Sequence, residues 1–337
     1  MTGRTRVLLA AAASAVLVAT AIGYIAVAAN RRIDPVQGGV PVAATDRLLV
    51  RSTAADSTGR LAIVDRRNPT GPRFVSGVSC NRVYAAGGTA LCLRPDGPLA
   101  TFQLAVFDTA KLAAGNARDR VDYPLVGVPN RARVSPSGHL LAWTVFVTGD
   151  SYNNGRFSTR VGMLNTVTGD IVDTLENFAV TRDGSPYRAT DENFWGVTFV
   201  DDNRFYATMS SAGHRYLVVG DVAAKTVRTL ADNVECPSLS PDRTRLVFKA
   251  AIGGDPAKGW RLSVLDLATL ARTPLAETRS VDDQAAWFDN HTVMYTVGRG
   301  AGRADVWSTA ADGTGTPTIL VPDAESPAPL WTDSPIG

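Results

Sequence analysis

Apolar and polar residues trade places at every second position through most of this chain, in runs too short for helices. After Ser240-Pro241-Asp242, Leu246 and Phe248 alternate with Arg245, Val247 and Lys249, the period of a strand. Pro241 fixes its φ at about −65° and Asp242 can bond its own backbone two residues on, so the tripeptide is a turn. The unit recurs as Val134-Ser135-Pro136-Ser137-Gly138 before Leu140-Leu141-Ala142-Trp143. Weaker copies are Phe199-Val200-Asp201-Asp202 before Phe205-Tyr206-Ala207, and Trp287-Phe288-Asp289-Asn290 before Val293-Met294-Tyr295. Each copy is followed by a second hairpin, over 161–175, 216–230, 262–275 and 306–321. Units aligned on Val134, Phe199, Leu239 and Trp287 lie 65, 40 and 48 residues apart. A period of about 40–50 residues with four antiparallel strands per unit predicts propeller blades. The wide first spacing calls for an insertion, placed between Gly149 and Trp195.

Read in order, the chain first shows an uncharged apolar run from Val7 to Ala29 between Arg4, Arg6 and Asn30-Arg31-Arg32. As a helix it would reach roughly 34 Å, enough for a bilayer core of about 30 Å. A signal peptide has a shorter core of about 7–15 residues, and Ala26-Val27-Ala28 would serve as its cleavage site. Residues 1–32 are expected to be a membrane anchor, or else a signal peptide; either carries the body out of the cytoplasm. Residues 33–45 mix Pro, Gly and Gln without periodicity and read as a linker. The propeller is expected over 46–331, with 332–337 a tail. It starts in mid-blade: Arg47–Ser52 reads as a second strand, with Leu61–Asp65 and Arg73–Ser76 behind it and no inner strand ahead. Glu325–Trp331 resembles an inner strand that lacks its hairpin. The expectation is that it completes blade 1 and closes the ring, which removes an exposed sheet edge. Blade 2 holds Cys80–Tyr84, a Gly87-Gly88 turn and Leu91–Leu93; blades 3 to 6 start near Arg133, Gly196, Cys236 and Ala285. The fold class is therefore all-β, a six-bladed propeller behind one apolar helix, expected as a monomer.

Composition changes this picture little. A hydrophobic content of 45% supplies a core. The net charge is +2, but Arg4, Arg6, Arg31 and Arg32 flank the apolar run and leave the body slightly negative. Such a body offers no electrostatic footprint for nucleic acid.

Ser135–Trp143 (SPSGHLLAW) and Ser240–Phe248 (SPDRTRLVF) resemble the Pro-Asp repeats of the TolB-like six-bladed propellers. Phe194-Trp195-Gly196-Val197 and Glu235-Cys236-Pro237-Ser238 resemble exported actinobacterial members of that family. The resemblance covers residues 46–331 and specifies fold far more than chemistry. TolB of Gram-negative envelopes carries an α/β domain before its propeller; the residues before Asp46 leave no room for one, so no Tol–Pal role is expected.

The candidate chemistry is sparse. In a four-stranded blade the middle turn and the inter-blade link share one end, and here that end holds the long loops 147–160, 178–195 and 251–260. Binding of a protein or cell-envelope component is expected on this rim, through Tyr152, Asn153, Arg156, Arg182, Tyr187, Arg188, Glu192 and Trp195. The bland alternative is that the loops pack on one another. Cys80 and Cys92 flank the Gly-Gly turn, and directly opposed positions would form a disulfide in an exported protein. Cys236 reads as a buried, inert thiol. His139, His214 and His291 belong to different blades, so neither a metal site nor a cofactor is expected. No Gly-x-Ser-x-Gly elbow or phosphate loop is present. The chain is read as a binding module rather than an enzyme. The alternative is a carbohydrate hydrolase or lyase that uses carboxylates across the channel.

Overall fold

The computed structural model describes residues 3–29, 46–97, 101–117, 121–147 and 158–330. In blade 5 the inner strand Glu235–Leu239 runs into the Ser-Pro turn, and Arg245–Ala251, Trp260–Asp266 and Arg272–Pro274 follow outward. The turn is closed by Ser240 N–H donating to the Arg245 carbonyl at 2.9 Å and Arg243 N–H donating to the Ser240 carbonyl at 2.9 Å. Blade 3 repeats this closure, with Ser135 N–H to the Leu140 carbonyl at 2.8 Å and Gly138 N–H to the Ser135 carbonyl at 2.9 Å. Arg243 and Gly138 both take positive φ, 60° and 82°. The serine hydroxyls finish the turn by accepting from the Leu140 and Arg245 amides, each at 3.0 Å. The weaker copies make a turn one residue shorter: Val200 N–H reaches the Arg204 carbonyl, and Phe288 N–H that of Thr292.

Six such sheets surround a channel. Their inner strands are Ala324–Leu330, Arg82–Ala86, Val128–Val134, Asn193–Phe199, Glu235–Leu239 and Ala286–Trp287, for blades 1 to 6 in turn. Contacts between successive inner strands run round a closed ring. Blade 1 closes as expected: Ala324–Leu330 pairs antiparallel with Arg47–Ser52, which pairs in turn with Arg60–Asp65. Trp331, the anticipated end of the closing strand, lies outside the described residues.

Apolar side chains fill the wedges between neighbouring blades. Leu141, Trp143 and Val145 of blade 3 meet Leu91, Leu104 and Val106 of blade 2, all buried. The Trp143 indole lies so close over Gly162 that a methyl there would collide with its ring.

Three inner strands carry a bulge at corresponding places. Gly196, Cys236 and Ser326 have φ of 64°, 49° and 52°, and strand register slips across each. A Cβ on Gly196 would press on the Cys236 backbone, so glycine is required where two bulged strands approach.

Two expectations are corrected. Cys80 and Cys92 form the disulfide, with Cα atoms 5.5 Å apart, yet they are not opposed in the ladder: Val83 faces Cys92. Asn81 N–H donates to the Leu93 carbonyl at 2.7 Å, and the chain bends there so that Cys80 reaches Cys92 from outside the strand. The second correction concerns the first part of the 178–195 loop, residues 179–187, which do not crowd the channel rim. Ala179–Arg182 and Ser185–Tyr187 form a hairpin whose first strand pairs parallel with Thr226–Ala231, widening blade 4 to six strands at its outer edge.

The N-terminal helix spans Gly3–Ala29. Among the described residues no helix is long and apolar enough to cross a membrane. The side chains of residues 7–11 and 24–29, both ends of the anticipated span, lie outside the described ones.

Candidate functional site

The expected rim residues divide into three groups. Tyr152, Asn153 and Arg156 lie outside the described residues. Arg182 and Tyr187 lie on the added hairpin of blade 4, and Arg188 and Glu192 lie on the segment that leads from it to the inner strand Asn193–Phe199. The Arg182 guanidinium lies 3.9 Å over the Tyr187 ring, and the Tyr187 hydroxyl meets the Ser211 hydroxyl at 2.7 Å. Arg188 donates to the Glu176 and Phe178 carbonyls at 2.9 and 3.3 Å, and it pairs at 3.5 Å with Glu192, which is buried. Glu192 also accepts from the Ala189 amide at 2.6 Å. These contacts pin the hairpin to its blade. Trp195 stands apart, half-buried on the inner strand of blade 4.

Inside the channel, the end nearer the middle turns is crossed by ion pairs. Glu235, buried, meets Lys249 at 3.8 Å and Arg215 at 3.2 Å, and it accepts from the Trp260 indole at 3.0 Å. Asp282 pairs with Lys249 and lies 3.8 Å from Arg131. Glu325 pairs with Arg51 at 2.6 Å and Arg82 at 3.2 Å. Burial works against the charge on Arg131, but Cys236, Asp283 and Asp282 outweigh it and raise its pKa. The Gln284 amide then spans the channel from blade 6, donating to the carbonyls of Val197 at 3.0 Å and Pro237 at 2.9 Å. Glu235, Asp282 and Glu325 are thus each tied to cations, an arrangement that holds charge in place rather than passing protons. Among the described residues no group of three or more His, Cys, Asp or Glu could hold a metal ion.

The opposite end, where the short first turns lie, opens into a cavity of about 730 Å³. Every blade contributes to its wall, through Pro329, Tyr84, Arg133, Phe199, Leu239 and Trp287 among others. Its lip is polar, with Ser240, Asp242, Arg243 and Asn290. Burial opposes ionisation of Asp242, but hydrogen bonds from Ser240 and Thr244 and the charge of Arg245 overcome it and hold the carboxyl at about 2. The lip is rigid across blades, because the Asp242 amide donates to the Asn290 side chain at 2.9 Å. A hollow of mixed polar and apolar lining, with aromatic walls and fixed polar groups, suits recognition of a small ligand or a short peptide segment.

A second recess of about 480 Å³ lies beside the outer part of blade 3, lined by Tyr123, Trp143, Arg160, Asp173 and Glu176 among others. Burial pushes the Glu176 carboxyl up to about 7, against its own and the Phe194 amides, the Arg160 charge and the Asn193 side chain.

The sequence drew attention to the long loops and not to the short-turn end of the channel. One signal for the channel was present: Glu235-Cys236-Pro237 recurs as Glu325-Ser326-Pro327, and each glutamate pairs with a basic residue of the next strand, Lys249 or Arg51.

No protein-family model matches the chain, and no curated protein matches it. Solved structures do. TolB from Acinetobacter baumannii matches at 14% identity and TM-score 0.58, over 84% of this chain and 66% of that one, so the chain spans about two thirds of that TolB. A protein of a nidogen/laminin complex matches at 11% identity and TM-score 0.54, over 84% of this chain and 97% of that one. A puromycin-hydrolysing peptidase from Mycobacterium tuberculosis matches at 16% identity and TM-score 0.46, over 84% of this chain and 46% of that one; this last likeness carries no further argument. At these identities the likeness is one of fold. The chain folds as a six-bladed propeller similar in architecture to that of TolB.

Proposed function

We propose that this protein is a non-enzymatic binding module that takes a short segment of a partner protein into the short-turn mouth of its channel. The observation that carries this reading is the mouth itself, a cavity of about 730 Å³ to which all six blades contribute. Long-range closure of the ring holds its walls at fixed spacing, so little ordering free energy is lost on binding. We further propose an extracytoplasmic location, with residues 7–29 as the tether. The Cys80–Cys92 disulfide supports an oxidising compartment, and the apolar run between arginines supports the tether.

The test is an affinity pull-down from native envelope with three full-length proteins. These are the wild type, Leu239→Arg to obstruct the mouth, and a variant with residues 181–193 replaced by a short Gly-Ser loop. A partner lost with Leu239→Arg and kept by the loop variant is the expected result. The reverse pattern would move binding to the outer edge of blade 4 and overturn the mouth.

A further inference from the structure

The six inner strands carry three arginines among the described residues, and two of them meet a carboxylate. Arg82 pairs with Glu325, and Arg131 lies 3.8 Å from Asp282. Arg133 does not pair. Two residues beyond Arg131 on the same strand, its side chain leaves on the same side, but nearer the open mouth, whose wall it forms. It is 7% exposed. Its Nη2 reaches across the channel to donate to the Ala285 carbonyl of blade 6 at 2.8 Å, and Nη1 donates to the Ala132 carbonyl at 3.3 Å. The guanidinium lies 4.2 Å over the Tyr84 ring. The third nitrogen, Nε, has no hydrogen-bond partner.

A buried guanidinium satisfied only by neutral carbonyls and a ring face keeps a charge that its surroundings do not cancel. Burial accordingly lowers its pKa below the ordinary value and Arg131 adds to the fall; Tyr84 beneath it, Asp283 and Cys236 act the other way without overcoming it. Nε itself is closed off from solvent, so the charge can be met only where the rest of the side chain borders the mouth. A water molecule there could not balance it, whereas an anion arriving from the mouth does. A carboxylate fits better than a phosphate, because Asp242 on the lip and Asp283 in the channel would repel a doubly charged group. We infer that the segment bound in the mouth presents a carboxylate to Arg133, which rests on the reading of the mouth as a peptide site. The carboxylate is either the C-terminal carboxyl group of the segment or an Asp or Glu side group within it.

The experiment uses the full-length protein, immobilised, and three pools of random hexapeptides acylated at the N-terminus with an uncharged coumarin dye. One pool has a free C-terminus and no Asp or Glu, one has an amidated C-terminus with Asp and Glu allowed, and one is amidated without either. A charge-assisted hydrogen bond predicts that one of the first two pools is retained about tenfold or more above the third. Which of the two is retained identifies the source of the carboxylate. Arg133→Met should level the pools, and Arg133→Lys should restore part of the difference. If Arg133→Met fails to fold, as read by circular dichroism, the wild-type ranking decides alone. Equal retention of all three pools, abolished by Leu239→Arg, would overturn the carboxylate and leave the peptide site standing. Retention of no pool would overturn both.

Discussion

Glu176 should make the protein less stable as the pH rises from about 5 to 8, and Glu176→Gln should remove that loss. The residue sits in the short 3-10 turn Leu175–Asn177 behind blade 3. Its carboxylate accepts from Asn193 Nδ2 at 3.4 Å and the Phe194 amide at 3.3 Å, and from the Thr174 hydroxyl. Burial nevertheless dominates and carries the pKa from 4.5 to about 7. Between those values the folded protein holds a proton that the unfolded chain has released, so stability falls with pH across the window and levels off above it. The full rise corresponds to about 3 kcal/mol, a ceiling that water entry and local relaxation reduce. Glutamine keeps the acceptor toward Asn193 and Phe194, and its amide can face Thr174, whose hydroxyl can rotate to accept. Denaturant unfolding of the full-length wild type and Glu176→Gln, followed by tryptophan fluorescence at pH 5 and pH 8, measures the difference. Similar stabilities are expected at pH 5, with the variant ahead at pH 8 by up to about 3 kcal/mol. Equal pH slopes, or a variant weaker than wild type at pH 8, would refute the reasoning.

Replacing Cys80 and Cys92 together by alanine should cost about 3 kcal/mol for so short a loop, with the denaturant slope little changed. Dithiothreitol should weaken the wild type by the same amount and leave the double variant unaffected. Gly162→Ala forces a methyl against the Trp143 indole. A loss of about 1–3 kcal/mol is expected, read as a lowered midpoint in thermal unfolding; an unchanged midpoint would mean that the indole can move aside.

What the sequence made legible follows the range of the interactions involved. The two Ser-Pro turns declare themselves because Pro136, Pro241 and the serine hydroxyls act within five residues. Their weaker copies could still be aligned, since Asp201 accepts from the amides of Asn203 and Arg204 at 2.9 and 2.7 Å and so makes a local turn of its own. The hairpin inside 178–195 also had a local signal, Asp183-Gly184, whose φ values of 51° and 78° suit a tight two-residue turn. Its docking beside Thr226–Ala231 had none, because parallel pairing at a sheet edge depends on tertiary placement. The same holds for Arg133, whose partner at Ala285 lies 152 residues away. No local pattern reports which of two neighbouring arginines will find a carboxylate.

The closing of blade 1 bears on how the molecule carries load. Arg47–Ser52, the first strand after the N-terminal residues, is held between Ala324–Leu330 on one side and Arg60–Asp65 on the other. A force delivered through the residues before Asp46 would run along that strand, at right angles to the hydrogen bonds of both ladders. They would have to yield together in shear, with the Arg51–Glu325 ion pair at 2.6 Å near the far end of the strand. A propeller tugged from that side would bear on the seam of its own ring, where the first and last described strands grip each other, rather than peeling from a free edge.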